Sequence, residues 1–214
     1  MLVIQGYLSV GVELQVDTVA PEDVVVAMDD WWSDYEVSFP ENERFSRDRM
    51  IQFILGCNKE CKTRVQFATL NGVIVGVQMS KIFPDNGFDF ALEIWTKKSF
   101  RGKGIARQIY ERGVHIDREL GLRLYAEVNP DRSLIFFHKL GLRELPIIYH
   151  QPPVGKYKPW VRLRFMMDIN LTGGGMVGRR VLENDIGLVY EYLYGVPREN
   201  VQLMCKFGID GDVS

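Results

Sequence analysis

Apolar and polar positions change period several times along the chain, and each change marks an element. Leu8 to Val16 alternates weakly with the two-residue period of a strand, and Thr18 or Pro21 then opens a helix carrying Val24, Val25, Val26, Met28, Trp31 and Trp32. A second helix begins at Ser46, a capping residue followed by Asp48 and the apolar run Met50, Ile51, Phe53, Ile54 and Leu55. Thr63 to Leu70 and Val73 to Ile82 read as strands joined by Asn71-Gly72, two residues that tolerate positive φ and so favour a tight hairpin. Phe88 to Thr96 is a third strand, after the Pro84-Asp85-Asn86-Gly87 turn. Regular alternation places Phe90, Leu92 and Ile94 on one side and Asp89, Ala91, Glu93 and Trp95 on the other.

Beyond a basic, glycine-containing loop, Ile105, Ile109, Gly113, Ile116 and Leu120 recur at helical spacing, and Gly121 ends that helix. Leu122 to Val128 alternates as a strand, and Asn129-Pro130 starts a short helix through Leu140. Leu142 to His150 and Trp160 to Ile169 are closing strands around a Pro-containing loop. Hairpins joined to one strand-helix-strand crossover predict an α/β fold with a mixed sheet and helices on its faces. Residues 1–171 form the main domain in this reading. After Thr172-Gly173-Gly174-Gly175, Leu182, Ile186, Val189 and Leu193 fall in phase, so 172–214 is a helical extension that packs on its own core or on a second subunit, as a homodimer.

The segment Thr96 to Arg107 stands where a strand ends and a helix begins. Free N–H groups and the dipole of a helix N-terminus attract anions, and glycines at 102 and 104 let a phosphate approach the backbone. Five basic residues and no acid between Lys97 and Arg107 suit a pyrophosphate. The segment is neither a Walker loop, because Ile105 follows Gly104, nor a three-glycine dinucleotide turn.

Arg101-Gly102-Lys103-Gly104-Ile105-Ala106 resembles the Arg/Gln-x-x-Gly-x-Gly/Ala signature of the GNAT superfamily of acyltransferases. Asn129, Ser133, Phe137, Gly141 and Leu142 resemble that family's Asn-x-x-x-Ala-x-x-x-Tyr-x-x-x-Gly-Phe region. The resemblance covers about Thr63 to Asp168. It implies a GNAT fold and an acetyl-CoA or other acyl-CoA cosubstrate, held by Arg101 to Ala106, by the strand end Ile94, Trp95 and Thr96, and by Asn129, Ser133 and Phe137. It also implies a catalytic glutamate at Glu93, whose apolar neighbours Ala91 and Trp95 favour a raised pKa; Asp89 is a weaker candidate. Phe137 stands where many members carry the tyrosine that protonates the departing thiolate, and phenylalanine has no proton to give. His138 is adjacent but points about 100° away around the helix.

Composition narrows the partners. A net charge of -2 over 214 residues argues against a nucleic-acid backbone as main partner. No apolar run is long enough to span a bilayer and no signal-peptide pattern opens the chain, which makes a cytoplasmic location the expectation. Cys57, Cys61 and Cys205 imply reduced thiols and no metal site, although Cys57 and Cys61 fit one helix face. The resemblance assigns the acceptor pocket to Trp31, Trp32, Tyr35 and Phe39, with His150 and Trp160 opposite. Six acids and no base between Asp29 and Glu43 suit either a cationic acceptor or a solvated helix end. The expected reaction is direct attack of a primary amine, on a small molecule or peptide, on the thioester. A longer acyl donor and a non-catalytic acyl-CoA-binding module are the alternatives.

Overall fold

The structure, a computed structural model, describes residues 7–8, 12–56, 60–154, 159–175, 177–201 and 206–207. In chain order its elements are β1 (Tyr7–Leu8), β2 (Val12–Val19), α1 (Pro21–Val26), α2 (Met28–Ser38), α3 (Arg47–Leu55), β3 (Lys62–Leu70), β4 (Val73–Phe83) and β5 (Phe88–Thr96). Then come α4 (Ile105–Leu120), β6 (Arg123–Val128), α5 (Leu134–Lys139), β7 (Leu142–Glu144), β8 (Ile147–Gln151), β9 (Val161–Asp168), α6 (Arg179–Val189) and β10 (Lys206–Phe207).

One mixed sheet runs β1-β2-β3-β4-β5-β6-β9-β8-β10, with β7 pairing β9. Among the described residues only β5 and β6 pair in parallel, and α4 connects them. The Asn71-Gly72 turn forms as expected, with φ of 51° and 76°. Ser46 caps α3 by accepting from the Arg49 N–H at 3.3 Å. The first helix of the sequence reading is two helices, broken at Ala27 (φ −80°, ψ 8°), and β2 extends to Val19. The strand expected from Leu142 to His150 is also interrupted: Pro146 has no N–H to give a ladder, so β7 and β8 pair β9 separately. Residues 129–133 form a turn and α5 starts at Leu134; the Asn129 side chain accepts from the Asp131 N–H at 3.0 Å instead of capping a longer helix.

Two apolar layers cover the sheet. On one face α1, α2, α3 and α6 bury Val24, Trp31, Tyr35, Met50, Phe53, Leu182, Ile186 and Val189 against Phe67, Phe88, Phe90 and Phe165. The apolar stripe of the tail thus lies in the principal core of its own chain. On the other face α4 and α5 cover Ala68, Val75, Leu124, Ala126 and Met166 with Ile105, Ile109, Tyr110 and Phe137. The fourth turn of α4 departs from its periodicity: Leu120 is exposed, and Asp117 is buried instead. Asp117 accepts from Arg64 Nη1 at 2.7 Å, and Arg64 also pairs with Asp89, so strand and helix share one buried guanidinium. Cys61 is buried just before β3, outside any helix, and Cys57 and Cys205 lie outside the described residues. Among the described residues no helix is long and apolar enough to cross a membrane.

Candidate active site

A cleft of about 780 Å³ opens where β5 and β6 part company. Their pairing ends at Ala91 and Ala126. At the same level β5 carries an extra residue against β4: Met79 pairs Glu93 and Ser80 pairs Ala91, which leaves Leu92 as a bulge. A bulge bends a strand and reverses the facing of every residue beyond it. The expected alternation is therefore broken. Asp89 reaches Arg64 and Asp117 on the α4 side, whereas Glu93 and Trp95 turn to the α2 side with Phe88 and Phe90. Asp89 is thus an ion-pair residue of the core, remote from the cleft lining, and Glu93 lines the cleft.

The loop before α4 lines the cleft. Gly104 is the N-cap of α4 at φ 78°, a left-handed conformation that glycine adopts without penalty, and Gly102 has the same φ. A Cβ on either would meet nothing within 4 Å, so the backbone there faces open space. The first turn of a helix has no internal acceptors for its N–H groups, and the first α4 bond back to this loop is Gln108 N–H to Gly104 O. Arg101 braces the loop: Nε donates to Thr96 O at 3.1 Å and Nη2 to Ser38 Oγ at 3.0 Å. Lys97 pairs with Asp34 at 3.2 Å, which ties the loop to α2.

Three carboxylates line the same cleft: Glu43, Glu93 and Glu127. Glu93 is 7% exposed and accepts from the Tyr35 hydroxyl at 3.3 Å. Burial raises its pKa well above the ordinary range, the Tyr35 hydrogen bond opposes this, and the Glu127 and Glu43 charges add to the rise. Glu127 accepts from the hydroxyls of Tyr149 and, at 2.6 Å, of Tyr194; burial lifts its carboxyl to about 7 against both. Glu43 accepts from Asn129 Nδ2 at 2.9 Å.

Ile94, Trp95, Thr96, Arg101, Gly102, Gly104, Ile105, Ala106, Asn129, Ser133 and Phe137 all line the same cleft as Glu93. Lys103 is outside the lining, its Nζ 5.1 Å over the Phe100 ring. The pocket expected from the aromatic residues is composed differently. Phe39 lines it, but Trp31 is fully buried with its indole N–H on Val24 O, and Trp32 and Tyr35 pack behind. His150 and Trp160 stay off the lining, and Gln151 and Leu163 serve from the late strands. Of the six acids, Asp29 and Asp34 are paired with Arg47 and Lys97, and only Glu43 reaches the cleft. The sequence reading missed Glu127, Gln151 and Tyr194. The regular alternation of β6 was the available signal for Glu127, whereas nothing local links Tyr194 to it across the chain.

The chain matches the model of the acetyltransferase (GNAT) family over residues 25–142. No curated protein matches it in sequence. Among solved structures, a GNAT-family protein from Bacteroides thetaiotaomicron described as an acetyltransferase superposes with a TM-score of 0.67 at 16% identity, covering 85% of this chain and 99% of its own. The ribosomal-protein-S18-alanine N-acetyltransferase of Escherichia coli gives 0.54 at 15% identity, over 72% of this chain and 92% of its own. The yncA protein of Salmonella typhimurium, solved with acetyl-CoA, gives 0.50 at 18% identity over the same shares of the two chains. With the family model spanning more than half of the 214 residues, and with the diverging β5 and β6 around the glycine loop of α4, the chain belongs to the GNAT acetyltransferase family.

Proposed function

We propose that the protein transfers an acetyl group from acetyl-CoA to a primary amine, by direct attack and with Glu93 as general base. The observation that carries this reading is one cleft lined both by a helix N-terminus and by a buried, raised-pKa carboxylate. The pyrophosphate of the coenzyme would lie on the N–H groups of the loop before α4, where the dipole favours its charge. The thioester would then lie between Ile94 to Thr96 and Asn129, Ser133 and Phe137. A protonated alkylamine has no lone pair to attack with, so Glu93 removes a proton, directly or through a water. The nitrogen adds to the carbonyl, the C–S bond breaks, coenzyme A leaves as its thiolate, and the nitrogen sheds its second proton to solvent to give the neutral amide.

No tyrosine lines the cleft among the described residues. Phe137 packs edge-on to Tyr110, whose hydroxyl is committed to Asp168 at 2.8 Å. The thiolate therefore takes its proton from solvent. That same feature favours the second reading, a module that binds acyl-CoA without turnover. Thiol release from acetyl-CoA in the presence of amines separates the two.

Gly104→Glu tests the coenzyme end. A side chain there enters the open space in front of the loop, and the left-handed φ adds about 1 kcal/mol of strain. Calorimetry should find acetyl-CoA binding abolished in a variant that still melts cooperatively; an unchanged affinity would place the coenzyme elsewhere.

A further inference from the structure

Three carboxylates line the cleft with no cation of the chain paired to them among the described residues. These, Glu43, Glu93 and Glu127, come from three different parts of the chain. The basic side chains of the cleft, Arg101, Arg107 and Arg132, belong to the α4 loop and first turn and to the turn after β6.

Gln151 supplies an independent sign of a missing partner. Its side chain lines the cleft, is 5% exposed, and donates from Nε2 to the Tyr194 hydroxyl at 3.2 Å. Tyr194 spends its one proton on Glu127, so it can only accept from Gln151. The amide orientation is thereby set, and Oε1 is left buried with no partner among the described residues. An unmet buried acceptor costs about 1–3 kcal/mol, so a donor from outside the chain would be bound with gain. Tyr194, which holds Glu127, also holds Gln151, so this second acceptor belongs to the same wall of the cleft.

Among the described residues no three His, Cys, Asp or Glu side chains are grouped as a metal-ligand set. The three carboxylates line one cleft without forming such a set, which suits an organic cation. We propose that the acceptor is a flexible aliphatic diamine or oligoamine, with one nitrogen acetylated beside Glu93 and a second held as ammonium by Glu127 and Gln151. This rests on the N-acetyltransferase reading above. In the reaction the attacking nitrogen gives its first proton to Glu93, forms the C–N bond as the C–S bond breaks, and releases its second proton to solvent, from which the thiolate is protonated. The second ammonium keeps its protons throughout, so Glu127 selects the acceptor and takes no part in bond making. An acceptor bearing a carboxylate near the amine is repelled by the same wall.

The test titrates putrescine and n-butylamine, equal in carbon number, into coenzyme A-saturated protein by calorimetry, and measures thiol release from acetyl-CoA with each. Putrescine should bind at least about tenfold more tightly, the scale of one charge-assisted hydrogen bond. Glu127→Gln, which keeps an acceptor oxygen for one of the two tyrosine hydroxyls and offers an N–H to the oxygen of the other, should erase most of that preference, and Gln151→Leu part of it. Equal affinity for the two amines, or a preference that survives Glu127→Gln in a cooperatively melting protein, overturns the proposal. Thiol release reports on the enzymatic reading separately. Putrescine bound through Glu127 without acetyl transfer would overturn that reading and leave the diamine site; transfer to both amines without preference would do the reverse.

Discussion

Glu93 has to be ionised to accept a proton, yet everything around it except Tyr35 favours the neutral form. Turnover should therefore rise with pH through its raised pKa. Glu93→Gln should lower kcat by roughly 10²-fold near neutrality, with acetyl-CoA affinity nearly intact. The deficit should narrow at lower pH, where the wild-type carboxyl is itself protonated, and again at high pH, where the free amine needs no base. A folded Glu93→Gln enzyme with wild-type turnover at neutral pH would remove it from the mechanism. A contrasting case at this scale is Arg64, 5% exposed, whose guanidinium is shared by Asp89 and Asp117. Burial raises both carboxyls, and the cation opposes that rise. Arg64→Ala would strand two acids in the interior and should cost about 3–5 kcal/mol, read from the denaturation midpoint. A change below 1 kcal/mol would mean that water reaches the pair.

At the scale of elements, the outcome turns on one residue of β5. Leu92 is an ordinary apolar strand residue, and its extra place against β4 reverses the parity of all that follows. Trp95 then joins Trp31, Tyr35 and Phe39 at ring separations of 5.5, 5.3 and 6.2 Å, and Glu93 reaches the Tyr35 hydroxyl. Deleting Leu92 would restore regular pairing and turn Trp95 and Glu93 toward α4. The expected result is an insoluble protein or one without its near-ultraviolet aromatic dichroism. A soluble deletion variant with native dichroism and wild-type thiol release would show that the bulge can migrate along β5. In α4 the apolar repeat Ile105, Ile109, Gly113 was visible because it follows the helical period. Asp117 on the same face was not, since a buried acid is tolerated only where a distant strand supplies Arg64.

For the molecule as a whole, the tail is the element with the largest reach. Leu182, Ile186, Val189, Tyr190 and Leu193 belong to the principal core, Asp185 binds Arg123 and Tyr125, and Tyr194 holds Glu127 at the cleft. Ending the chain at Leu171 should expose that core and leave Glu127 short of one donor, giving aggregation or a markedly lower melting temperature. A truncated protein with unchanged sedimentation and melting would contradict this. Periodicity, caps and glycines determine structure over a few residues, and so the hairpin at Asn71-Gly72, the α4 loop and the capped start of α3 were legible in the sequence. The family resemblance rested on two local motifs, Arg101 to Ala106 and Asn129 to Leu142, and the part of the cleft proposed for the coenzyme includes the loop that carries the first of them. The part proposed for the acceptor is assembled differently. Glu43, Glu93, Glu127, Gln151 and Tyr194 come from five separated stretches, and the bulge at Leu92 decides which of them face one another. Strand register and long-range packing are fixed by the burial of both sheet faces at once, and no window of sequence contains that constraint.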